Sequence, residues 1–148
     1  NINQYNNKIQ KTIIMLKQVF INLPVKDLEK SMSFYEAIGF TNNPQFTDHT
    51  AACMVWSDTI FVMLLTHAKF KQFTSKQIID AKQSVGVSNA LSFESIETMK
   101  TFAANAVKAG GREYASASDY GFMQQYFIED LDGHNWEPFY MDMSKFPG

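Results

Sequence analysis

The chain is 148 residues long, 45% hydrophobic and 19% charged, with a formal net charge of −2. This length supports one domain, or two small repeated halves sharing one core, and the composition excludes a disordered tail or a charged scaffold. Thirteen basic residues stand against 15 acidic ones, and Arg112 is the only arginine, which argues against nucleic acid as a partner. The single cysteine, Cys53, fits a reducing compartment. The longest strongly apolar run, Ile60 to Leu65, is too short to cross a bilayer, so no membrane partner is expected. Thr12 to Leu16 is followed at once by Lys17 and is too short for a signal peptide, so a cytoplasmic location is expected. Against this unremarkable charge stand 13 Phe, 6 Tyr, 2 Trp and 8 Met, enough for a thick core, an apolar cavity or a sticky interface.

Residues 1–16 read as an extension, of which Asn1 to Gln10 are Asn-rich and lack periodic pattern. Met15 directly precedes the first strand-like segment and is a candidate internal start, a frayed terminus being the alternative. Lys17 to Val25 reads as a strand. Asp27 is an N-cap, Leu28, Met32, Tyr35 and Ile38 follow at helical spacing, and Gly39 ends the helix. Three strands are predicted next, at Phe40–Phe46, Thr50–Trp56 and Thr59–Thr66. A capping box at Thr74-Ser75-Lys76-Gln77 predicts a short linker helix reaching Lys82. The order then returns. Val87–Phe93 reads as a strand, Ser95 caps a helix ended by Gly110-Gly111, and strands follow at Glu113–Ser118, Phe122–Ile128 and Asn135–Met141. Asp132-Gly133 marks the last hairpin.

The pattern β-α-β-β-β therefore occurs twice. The caps Asp27 and Ser95 lie 68 positions apart, and the terminating glycines Gly39 and Gly110 lie 71 apart. The predicted fold class is α+β: two βαβββ modules forming a cupped, eight-stranded mixed sheet with the helices on its outer face. Module one spans about 17–66, the linker helix about 67–84 and module two about 85–142, so the domain covers 17–142 and residues 143–148 form a tail.

Phe20-Ile21-Asn22-Leu23-Pro24-Val25-Lys26-Asp27-Leu28-Glu29-Lys30-Ser31, followed by Phe34-Tyr35 and Ile38-Gly39-Phe40, resembles the opening of the vicinal oxygen chelate superfamily. This group includes glyoxalase I, bleomycin-resistance proteins, fosfomycin-resistance enzymes and extradiol dioxygenases. Asp130-Leu131-Asp132-Gly133-His134-Asn135-Trp136-Glu137 resembles its closing motif, Asp-Pro-Asp-Gly-Asn-x-x-Glu. In metal-dependent members four side chains, two per module, hold a divalent ion in the cup, and an open coordination position binds substrate oxygens. The resemblance also implies a homodimer.

Aligned without gaps, the four ligand positions fall on Phe20, Leu64, Ala90 and Glu137. Only the last is a metal-binding side chain, and one carboxylate does not hold a catalytic cation. No cofactor is therefore predicted, Zn, Ni, Mn or Fe in an atypical site being the alternative. Strand alternation puts Asn135, Glu137 and Phe139 on one face and Trp136, Pro138 and Tyr140 on the other. Glu137 is the candidate catalytic base or ligand anchor, and a carboxylate left without either role is the alternative. Phe20, Asn22, Leu64, Ala90, Ser92 and Tyr126 are the other candidate ligand-binding residues. His49, His67 and His134 read as surface histidines, and Cys53 as a buried free thiol. The favoured function is binding of a small apolar or aromatic molecule without the usual metal. The alternative is a lyase, isomerase or dioxygenase that uses an atypical metal site or Glu137 as base.

Overall fold

The computed structural model describes residues 16–148, so the extension read over 1–16 lies outside the described residues except for Leu16. Module one runs β1 (Val19–Val25), α1 (Leu28–Ala37), β2 (Thr41–Asn43), β3 (Ala51–Val55) and β4 (Ile60–Thr66). After a one-turn helix α2 (His67–Phe70), module two repeats the order with β5 (Ser88–Ser92), α3 (Ile96–Lys108), β6 (Arg112–Asp119), β7 (Met123–Glu129) and β8 (Asn135–Met141). The strand orders are β1-β4-β3-β2 and β5-β8-β7-β6, so both modules place their first strand beside their last. These two pairings are parallel and the others antiparallel. Both halves are the expected βαβββ unit.

Local chemistry explains the helix limits. The Asp27 carboxylate accepts the Lys30 amide at 3.1 Å, and the Ser95 hydroxyl accepts the Thr98 amide at 3.1 Å, each satisfying an amide that the first turn leaves free. Gly39 and Gly110, with φ of 108° and 104°, carry the chain out of α1 and α3 in a left-handed conformation that side chains disfavour.

Two predicted elements are shorter than the sequence suggests. The strand expected over 40–46 stops at Asn43, because Pro44 has no N–H for the ladder and opens a 3₁₀ turn capped by the Asn43 side chain. The linker helix is confined to His67–Phe70 and starts from a different cap, Thr66, whose hydroxyl accepts the Lys69 amide at 3.2 Å. Thr74 instead accepts the Lys76 amide two residues on, closing a turn. A cap without an apolar stripe behind it does not propagate a helix.

The core lies on the helix side of both sheets and is continuous between modules. It joins Leu23, Val25, Phe34, Tyr35, Phe40 and Leu64 of module one to Leu91, Phe102, Ala106 and Trp136 of module two. Edge-on aromatic contacts cross the boundary, with Tyr35–Trp136 centroids at 6.1 Å and Trp56–Phe102 centroids at 5.8 Å. A polar clasp reinforces them. Asp132 accepts the Lys26 amide at 2.9 Å and the Ser31 hydroxyl at 3.4 Å, and His134 Nε2 donates to the Pro24 carbonyl at 2.7 Å. His134 is therefore a half-buried link between modules rather than a surface residue, and this bond places its proton on Nε2. Among the described residues no helix is long and apolar enough to cross a membrane.

Candidate functional site

Strand register decides which side chains the open sheet faces present. In module one Leu23 stands opposite Leu64 and Ile21 opposite Val62, while Phe20 stands opposite Phe61 and Asn22 opposite Met63. Leu23, Val62 and Leu64 are buried beneath α1. Phe20 and Phe61 stack on the open face with centroids 4.5 Å apart, and Phe20 remains 50% exposed. Leu64 is fully buried, so it does not share a face with Phe20 as the gapless motif alignment has it. An error of one residue turns a strand side chain to the opposite face. The β4 residues on Phe20's side are Phe61, Met63 and Leu65, and none of them is a metal-binding type except the weak thioether of Met63.

Module two follows the expected alternation. Ala90 stands directly opposite Glu137, Ser88 opposite Asn135 and Ser92 opposite Phe139, all on the open face, while Trp136 points into the core. Gln125 pairs with Phe139 and Glu129 with Asn135, so Phe127 between them lies on the Glu137 side. Its ring meets Tyr114 edge-on at 5.9 Å. Burial, and then the nearby Glu137 charge, push the Tyr114 hydroxyl above its ordinary pKa. Tyr126 falls at the other parity and packs against the core, so it does not join Glu137. Ser92 and Asn22 are exposed on the faces of Glu137 and Phe20, respectively.

Half-buried Glu137 is thus a carboxylate bordered by aromatic rings, with only the Ala90 methyl across the ladder. The small neighbour adds no bulk beside the carboxylate, and the rings supply flat apolar surface. Such a face suits a molecule that donates one hydrogen bond and stacks the rest of its body. The donor set fits a divalent ion poorly: the family positions supply Phe20, a β4 residue that is Met63 or Leu65 on the correct face, Ala90 and Glu137. No group of three or more His, Cys, Asp or Glu able to hold a metal occurs among the described residues. Cys53 is buried without such companions, and burial pushes its thiol up.

Sequence reading missed Tyr114 and Phe127 as neighbours of Glu137. For Tyr114 the offset between β6 and β7 changes between Glu113 and Ala115, and such a bulge leaves no mark in hydrophobic pattern. Phe127, by contrast, lies on the regular β7–β8 ladder, where alternation is the signal that finds it.

Residues 17–57 match the family model described as bleomycin resistance protein-like N-terminal. No curated protein matches the chain in sequence. Among solved structures, a hypothetical protein from S. aureus is 25% identical, with a TM-score of 0.71 over 85% of this chain and 95% of that one. A glyoxalase-related enzyme from Fulvimarina pelagi is 20% identical, with a TM-score of 0.70 over 84% of this chain and 88% of its own. A bleomycin-binding protein complexed with bleomycin is 18% identical, with a TM-score of 0.57 over 84% of this chain and 98% of its own. The sequence of residues 17–57 is thus similar to the bleomycin resistance protein-like N-terminal family, and the fold of both modules is the one shared by solved structures named for the glyoxalase, bleomycin-resistance and dioxygenase group.

Proposed function

We propose that this chain binds a small apolar or aromatic molecule on its open sheet faces, with Glu137 as the polar anchor and without the divalent ion of the superfamily's metal-dependent members. The observation that carries the reading is the replacement of three donor positions by apolar side chains while Glu137 keeps its carboxylate beside Tyr114, Phe127 and Phe139. A zinc site needs at least three protein ligands, and this set offers one oxygen donor. The bleomycin-binding relative, which shares the fold, is a precedent for ligand capture on this architecture.

The reading includes a homodimer. A second copy of the chain would cover exposed apolar surface of the open sheet faces. Phe20, 50% exposed and stacked on Phe61, suits such a contact.

Native mass spectrometry of protein purified without chelators, with metal analysis, tests the proposal. A dimer carrying a retained organic molecule, and thermal stabilisation by aromatic compounds that Glu137→Gln reduces, are expected. Near-stoichiometric Zn, Ni, Mn or Fe that is lost in Glu137→Ala overturns it. Metal-free turnover that requires Glu137 assigns that residue as a general base instead.

A further inference from the structure

A second apolar space, partly open to solvent, lies at the edge of the open faces and reaches Asn22 and Asn135 of those faces. A cavity of about 420 Å³ lies between β1 and the irregular chain joining the modules, closed at one end by the start of β5 and by the Asp132-Gly133 hairpin. Ile21 and Leu23 form its floor, and Ile78, Ile79, Val85 and Val87 its roof. Its volume falls in the range in which proteins hold small molecules, and its lining is mostly apolar.

The roof is built unlike the rest of the fold. Residues 71–87 contain no regular element, yet they pass so close to Gly133 that an added Cβ would lie 2.6 Å from the Lys82 amide nitrogen. Beyond that approach the roof keeps apolar side chains in water, with Ile79 51%, Val85 66% and Val87 70% exposed. An apolar body in the cavity gives these side chains something to close on.

The cavity also has a polar end. Asn89 lines it, and its Nδ2 makes a long 3.4 Å bond to the Asn135 carbonyl, which leaves much of the amide's donor and acceptor capacity unused. Among the lining residues Lys76 alone carries a fixed charge, and it is exposed. A charged group inside would stay unpaired, and burying it so is costly.

We propose that this seam between the modules, which Glu137 does not line, is a second binding site for a small neutral molecule with an apolar body and one hydrogen-bonding group met by Asn89. It does not depend on the function proposed for the open faces.

The test uses N-phenyl-1-naphthylamine, a neutral aromatic compound with one N–H, titrated into the full chain while ¹H–¹⁵N spectra are recorded. Saturable shifts at residues 21–23 and 78–89 are expected. Val87→Trp and Ile79→Trp, both at exposed positions that a larger ring extends into the cavity, should weaken these shifts at least tenfold in apparent affinity. Glu137→Ala should leave them within twofold. Absence of saturable shifts in these segments, or their survival in both folded Trp variants, overturns the proposal. Shifts that appear only after removal of residues 1–15 assign the space to the chain's own start and overturn it as well.

Discussion

Replacing Tyr35 with Phe removes one oxygen from the centre of the module boundary, where the side chain is fully buried. That hydroxyl donates to Asp130 Oδ2 at 2.7 Å and accepts from Trp136 Nε1 at 2.9 Å. The other Asp130 oxygen is held by the amides of Asp132 and His134 at 3.0 and 2.9 Å and cannot turn to compensate. Tyr35→Phe therefore strands a carboxylate oxygen and an indole N–H together in a site closed to water. Orphaning a buried polar group costs about 1–3 kcal/mol, and more for a charged one, so the expected loss is about 3–5 kcal/mol. For a chain of this length that lowers Tm by roughly 6–20 °C. Urea denaturation of both proteins at neutral pH measures it.

A second arm of the same experiment uses alkali. Burial, followed by the Asp130 charge, holds the Tyr35 phenol well above its ordinary value of 10.0. Above that pH the unfolded chain releases a proton that the folded chain keeps, so stability is present below about pH 10 and falls as pH rises beyond it. The variant lacks this component, and the gap between the two proteins should narrow in alkali. A loss below about 1 kcal/mol, or a gap that stays constant above pH 10, refutes the reasoning.

Leu64→Ala should destabilise by about 2–5 kcal/mol while leaving ligand affinity unchanged, and Met63→Ala should do the opposite, weakening binding with little effect on stability. Denaturant melts paired with calorimetric titration separate the two faces of β4. Glu137→Gln should weaken a ligand held by that carboxylate by roughly 10- to 100-fold, read by the same titration, because it replaces a charge-assisted hydrogen bond with a neutral one. Gly133→Ala places a Cβ 2.6 Å from the Lys82 amide at a φ of 95°, so a loss of at least about 2 kcal/mol is expected in urea melts.

Element order was legible because it is written in local chemistry. Asp27 and Ser95 cap helices by reaching three residues ahead, and Gly39 and Gly110 end them, without help from distant parts of the chain. The face of Glu137 was legible for a similar reason: Asn-Trp-Glu-Pro-Phe-Tyr lies on a regular ladder, and period two carries through it. The face of Leu64 was not. Ile60 to Leu65 is apolar at both parities, so no alternation marks which side chains meet the helix, and only pairing with β1 decides it. Tyr126 was misplaced on the same ground, because an aromatic in β7 serves equally under a helix or beside a ligand. The Thr74 box failed differently: its spacing is correct, but Ile78 and Ile79 are drawn together toward the seam, and adjacent residues do not share one face of a helix.

The clasp at Asp132 and His134 reaches the backbone of β1 and the residue after it, and none of it runs through the chain that joins the modules. Covalent continuity and physical attachment are therefore separate properties of this molecule. A protease that cuts between Lys71 and Val87 severs the thread and leaves the aromatic boundary and the clasp in place. The two pieces are expected to travel as one particle in native chromatography and to part only in denaturant.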